Sequence, residues 1–131
     1  MRVLSVAREV REWTEMQNNK REYHSEDLVG WCAIASAQLS RRFVVEEIPH
    51  RICMCEDDIG CHVFLIVDDH VVDVTATQFI AYEKEPVVII HEREASACWY
   101  YQISREFQTP SELRRYQQKV GWPSDQTAYL R

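Results

Sequence analysis

Cys32, His62 and Asp73 have the types and the order that nucleophilic acyl chemistry requires. Cys32 follows Gly30-Trp31 within a stretch of small and apolar residues, LVGWCAIASAQLSRR, over residues 28–42. A thiol near the start of a helix sits where backbone N–H groups and the helix dipole favour an anion, which makes it a better nucleophile. His62 is the second residue of the apolar run CHVFLIV, and Asp73 lies in HVVDVT, beyond the pair Asp68-Asp69. Two such runs around a short turn predict an antiparallel hairpin. With a two-residue turn, Val67 opposes His70, Phe64 opposes Asp73 and His62 opposes Thr75. His62 and Asp73 then share a sheet face as diagonal neighbours. A four-residue turn sets them directly opposite, and a three-residue turn separates their faces. A base on one strand, oriented by a carboxylate on the next and facing a thiol at a helix start, is the Cys-His-Asp arrangement of acyl transfer.

Each residue also has an ordinary structural use. A buried cysteine among small residues is commonly a small hydrophobe. A strand histidine is commonly satisfied by a backbone carbonyl. An aspartate before Thr75 and Thr77 can bracket a turn. Only their joint order, elements and strand parity point to catalysis.

A second reading is metal. Cys53, Cys55, Cys61 and His62 place three thiols and an imidazole within ten residues, and zinc takes such ligands. The alternatives are therefore a zinc-stabilised interaction module, with His62 as a ligand, and a catalytically silent protein-interaction module on the same scaffold. The spacing differs from paired C-x2-C knuckles, and Cys61 and His62, adjacent in a strand, point to opposite faces. The favoured reading therefore uses no metal and no cofactor. The acidic cluster Glu56-Asp57-Asp58 reads as a solvated turn. His24, His50, His70 and His91 read as structural or surface residues.

The elements that position these groups follow from periodicity. Residues 3–17 predict an amphipathic helix, with Val3, Leu4, Val6, Ala7, Val10, Trp13 and Met16 at helical spacing. The polar stretch 17–27 predicts a loop, with Ser25 or Asp27 capping a central buried helix over 28–42. Short strands are expected over 43–48, 51–55, 61–67, 70–75 and 86–91, and a last one within 97–103. Thr109-Pro110-Ser111-Glu112 is a capping box with proline at the first helical position, and predicts a helix ending at Gly121. The order predicts one α+β domain over residues 1–131, a central helix packed on an antiparallel sheet.

Composition sets the outer bounds. The chain has 131 residues, 46% hydrophobic and 27% charged, which suffices for one buried core. A net charge of −6 argues against the nucleic-acid backbone as a main partner, since that affinity comes from many cationic contacts. No run approaches the ~18 apolar residues of a membrane helix, so no membrane partner is expected. Five cysteines, an odd number, and charges throughout the first 13 residues speak against a disulfide framework and a signal peptide. A cytoplasmic location is the expectation, though a specialised secretion system delivering the chain to another cell needs no such peptide.

The segments GWCAIAS and CHVFLIVDDHVVDVTATQF, within residues 28–80, resemble the papain-like/transglutaminase-like cysteine enzyme superfamily. They are similar in particular to small bacterial papain-fold toxin and effector deamidases. The resemblance implies that Cys32 is the nucleophile, His62 the general base and Asp73 its orienter. It further implies a protein or peptide substrate whose amide bonds undergo glutamine deamidation or limited proteolysis. Trp31, beside the nucleophile, is the aromatic residue expected to wall the substrate cleft; Trp99, Tyr100, Tyr101 and Trp122 are expected in core and rim. Gln78 and Phe79 are expected to seat the loop behind Asp73. Papain-type enzymes place an oxyanion-binding glutamine shortly before the nucleophile. Here residues 26–31 hold no amide side chain, and the nearest upstream amides are Gln17, Asn18 and Asn19. The backbone N–H of Cys32 can serve as one oxyanion donor; the second is unassigned.

Overall fold

The computed structural model describes residues 2–22, 26–56, 61–95 and 102–121. Helix α1 spans Arg2–Asn19 and buries Val6, Ala7, Val10 and Thr14 along one stripe. A 3₁₀ turn at Glu26–Leu28 leads to helix α2, Cys32–Val45. Asp27, Leu28 and Gly30 all have left-handed backbone, with φ of 51°, 59° and 87°. This sharp bend delays α2 by four residues relative to the expected start and makes Cys32 its first residue. Asp27 is thus part of the bend rather than the cap, and Ser25 lies outside the described residues.

At its other end α2 runs on to Val45 and absorbs the first half of the strand expected over 43–48. Phe43 extends the buried stripe one turn beyond Leu39, and both are almost wholly buried. Val44 and Val45 are 65% and 78% exposed. Their β-branched preference for strand yields to the packing of Phe43.

Strands β1 (Arg51–Glu56), β2 (Cys61–Val67), β3 (His70–Asp73), β4 (Val88–His91) and β5 (Ile103–Phe107) form one sheet in the order β4-β3-β2-β1-β5. All neighbours are antiparallel. Residues 97–101 of the strand expected over 97–103 lie outside the described residues, and β5 begins at Ile103. A short helix, α3 (Glu92–Ala95), follows β4, and α4 (Pro110–Val120) closes the fold. Helix α4 has the predicted ends. Thr109 Oγ1 accepts the Glu112 N–H at 3.2 Å, Glu112 Oε2 accepts the Gln108 N–H at 2.7 Å, and Gly121 is left-handed at φ 79°.

Ile52, Met54, Val63, Leu65, Val72 and Val74 pack with the buried stripes of α1 and α2 and with Leu113 of α4. Cys53, Cys55, Phe64, Ile66 and Val71 point the other way, against Ala95. The chain is thus α+β, with α2 against an antiparallel sheet. Among the described residues no helix is long and apolar enough to cross a membrane.

Candidate active site

Strand β2 begins, and β3 ends, at the same end of the sheet. Val67 pairs with His70, so Asp68-Asp69 is a two-residue turn, with Asp68 left-handed at φ 53°. Continuing that register sets Asp73 across from Phe64 and puts it on the face of His62. Helix α2 reaches the same end: the Ser36 hydroxyl donates to the Val63 carbonyl at 3.1 Å. Cys32 stands one turn before Ser36 on the same side of the helix, level with the start of β2.

The three residues meet there. His62 Nε2 lies 2.5 Å from Asp73 Oδ2, with both side chains nearly inaccessible to solvent. The other carboxylate oxygen, Oδ1, accepts the Thr75 N–H at 2.9 Å and the Thr75 hydroxyl at 3.3 Å. The turn-bracketing use of Asp73 and its pairing with His62 therefore coexist, one oxygen for each. The Cys32 thiol also acts on His62, through a hydrogen bond and its charge.

Electrostatics at the imidazole are a contest. Burial by itself disfavours the imidazolium. The Asp73 carboxylate, through charge and hydrogen bond, and then the Cys32 sulfur outweigh it, and the His62 pKa is raised to about 10. Phe79 holds the ring edge-on at 4.7 Å, and Phe64 stacks at 6.1 Å. Cys32 begins α2, and the Trp31 side chain at the N-cap makes no capping hydrogen bond. That cap therefore takes none of the first-turn N–H groups that a developing anion needs. Cys32 is 7% exposed, whereas Val29 and Gly30 just before it are exposed.

The other strand thiols differ in their electrostatics, although Cys55 pairs across the ladder with His62 and feels the Asp73 charge. Burial pushes Cys53 up to about 12 and Cys55 up to about 11, so both remain protonated and poorly nucleophilic near neutrality. Register places them on one sheet face, opposite Phe64 and His62, whereas Cys61 packs toward the helical core. Among the described residues no three His, Cys, Asp or Glu side chains gather as a metal site. Asp57 and Asp58 of the acidic turn lie outside the described residues.

A clamp from α1 secures the site. Arg11 Nη1 donates to the Val74 carbonyl at 3.0 Å and to Thr77 Oγ1 at 2.9 Å. The Thr77 hydroxyl donates in turn to the Asp27 carbonyl at 3.3 Å. One guanidinium thus ties the segment after Asp73 to the bend before Cys32. Sequence reading missed this role because its partners are more than 60 residues away and nothing local marks them. Gln78 is partly as expected: it donates to the Thr75 carbonyl at 3.0 Å, but its Nε2 also reaches His62 Nδ1 at 3.3 Å.

Trp31 requires a correction. Its indole is 1% exposed, packed with Leu28, Ile34 and Trp13 and covered by the Arg21 guanidinium at 5.0 Å. It supports the helix start from beneath and does not wall a cleft, because the left-handed bend turns it inward. Trp99, Tyr100, Tyr101 and Trp122 lie outside the described residues. No protein-family model, curated protein or solved structure matches the chain.

Proposed function

We propose that the chain is a thiol-dependent hydrolase or acyltransferase acting on amide bonds, with Cys32 as nucleophile, His62 as general base and acid, and Asp73 as orienter. The buried Asp73–His62 pair at 2.5 Å, with the Cys32 thiol acting on the same imidazole, carries this reading. A carboxylate so placed fixes the tautomer and steadies the imidazolium, which in turn steadies the thiolate. The Cys32 sulfur attacks the amide carbonyl carbon, and the π electrons move onto oxygen. Collapse expels the amine or ammonia, which takes the proton from His62 Nδ1 and leaves a thioester. Water or an amine, deprotonated by Nδ1, then releases the acyl group and restores the thiol.

The proposed substrate is a protein or peptide, modified by glutamine deamidation or limited proteolysis. A domain of this size has little surface for a deep specificity pocket, and a macromolecule bound in a shallow groove needs none. The sequence resemblance to papain-fold deamidases supports the same choice. The test is mass spectrometry of an unfolded, glutamine-containing protein after incubation with the wild type and Cys32→Ser. Conversion of glutamine to glutamate identifies deamidation, and new chain ends identify proteolysis. Either activity should vanish in Cys32→Ser. Activity that survives this substitution, or faster turnover of a free small amide than of any protein, contradicts the proposal.

A further inference from the structure

The attack on a carbonyl needs two hydrogen-bond donors for the oxygen that becomes negative. One is at hand in the Cys32 backbone N–H at the start of α2. We propose that the side-chain amide of Gln78 supplies the other, an inference that rests on the Cys32–His62–Asp73 reading above.

The amide is oriented by its surroundings. Its NH₂ donates to the Thr75 carbonyl at 3.0 Å, which requires nitrogen rather than oxygen on that side. The second N–H of the same group faces His62 Nδ1 at 3.3 Å. In the reactive state His62 is an imidazolium, donating from Nε2 to Asp73 and from Nδ1 to the sulfur. Nδ1 then has no lone pair for Gln78. The spare N–H is left at the Nδ1 edge of the imidazole, where on this reading the carbonyl oxygen of a substrate arrives. Thr75 anchors the amide from one side, and Asp73 fixes Thr75 in turn through both its N–H and its hydroxyl. Gln78 is only half-buried, like the adjoining Phe79, so it borders the solvent side from which a substrate enters. A preset donor of this kind requires little reorganisation as charge develops. On attack, the Sγ–C bond forms, the C=O π pair moves onto oxygen, and Cys32 N–H and Gln78 Nε2–H receive it. Collapse returns the pair and breaks the bond to the leaving group.

Two reactions of the same thiol separate this role from a purely structural one. Acetylation of Cys32 by p-nitrophenyl acetate passes through an oxyanion, whereas alkylation by iodoacetamide is a displacement at carbon with none. Both rates are measured at Cys32 by peptide mapping in wild type, His62→Ala, Gln78→Ala and Gln78→Met. Methionine keeps the length of the side chain without its donor, and thermal melting checks each fold. Both Gln78 variants should slow acetylation about 100-fold and leave alkylation unchanged. Equal losses in the two reactions would mean that Gln78 merely holds His62, and no loss in either would mean that it does nothing. Either result overturns the proposal. If wild type and His62→Ala alkylate Cys32 identically, the thiol–imidazole reading itself fails and takes this inference with it.

Discussion

Helix α2 carries two pairings of a nucleophilic side chain with histidine, and they differ in how well they suit chemistry. At its start Cys32 meets His62, whose other nitrogen is held by Asp73. Two turns on, Ser40 Oγ lies 2.6 Å from His50 Nε2, and His50 Nδ1 donates to the Ile48 carbonyl at 2.8 Å. Both are nucleophile–histidine–oxygen relays. They differ in the charge of the third member and in position along the helix. A carbonyl fixes a tautomer but does not stabilise an imidazolium as a carboxylate does. Ser40 is completely buried and lies in the second half of α2, away from the N–H groups that welcome an anion. The Phe43 ring packs edge-on against His50 at 5.5 Å, which completes a structural joint between α2 and the entry to β1. A histidine relay therefore becomes a candidate site only where a buried charge and a helix start converge on it.

The widest separation between the two relays is in activity. Cys32→Ser and His62→Ala should each lower acyl transfer by more than about 1000-fold. Ser40→Ala and His50→Ala should leave it near wild type and cost about 1–3 kcal/mol of stability through unsatisfied buried groups. Steady-state rates beside denaturant melts measure both quantities. Loss of catalysis in the Ser40 or His50 variants at full folding would reverse the assignment.

Next in size is the third member. Asp73→Asn keeps the shape but removes the charge, and should reduce the rate by about 100- to 10,000-fold. An Asn variant as active as wild type would make the carboxylate no more useful than the Ile48 carbonyl is to His50.

The His62–Asp73 pair should also make stability depend on pH. The folded protein holds the His62 proton up to about pH 10, whereas an unfolded chain releases it near 6.5. The stabilisation is complete below about pH 6.5 and is lost as pH rises toward about 10. Above about pH 9, Cys53 and Cys55, still protonated in the fold, add to the decline. Thermal melts across this range should show Tm falling, with the slope below pH 9 largely abolished in Asp73→Asn and retained in His50→Ala. The smallest effect is expected far from both relays. Thr109→Ala removes the α4 cap and should cost about 1 kcal/mol with unchanged activity.

Much of the site was legible because it obeys local rules. The two apolar runs CHVFLIV and HVVDVT predict a hairpin, and a two-residue turn between them, which the fold has, puts His62 and Asp73 on one face. The α4 capping box is spelled out by Thr109, Pro110, Glu112 and Gly121. What escaped depends on long-range packing. Val44-Val45 reads as strand until Phe43 is buried on the helix stripe. Trp31 reads as a cleft wall until residues 27–30 bend left-handed and turn it inward. Arg11 gives no local sign that it binds Val74 and Thr77. Gln78 was legible as a loop support, but its approach to Nδ1 follows from the turn after β3, which the sequence pattern leaves open.

The central claim is that Cys32 and His62 form a working pair, and the alkylation rate at each cysteine tests it most directly. Peptide mapping with iodoacetamide follows all thiols at once in wild type and His62→Ala. The account predicts that Cys32 alkylates much faster than Cys53 and Cys55 at neutral pH and loses that advantage without His62. Cys53 and Cys55 should stay slow throughout. A Cys32 that alkylates no faster than the other thiols, and equally in both proteins, would contradict the account and leave a scaffold without the chemistry.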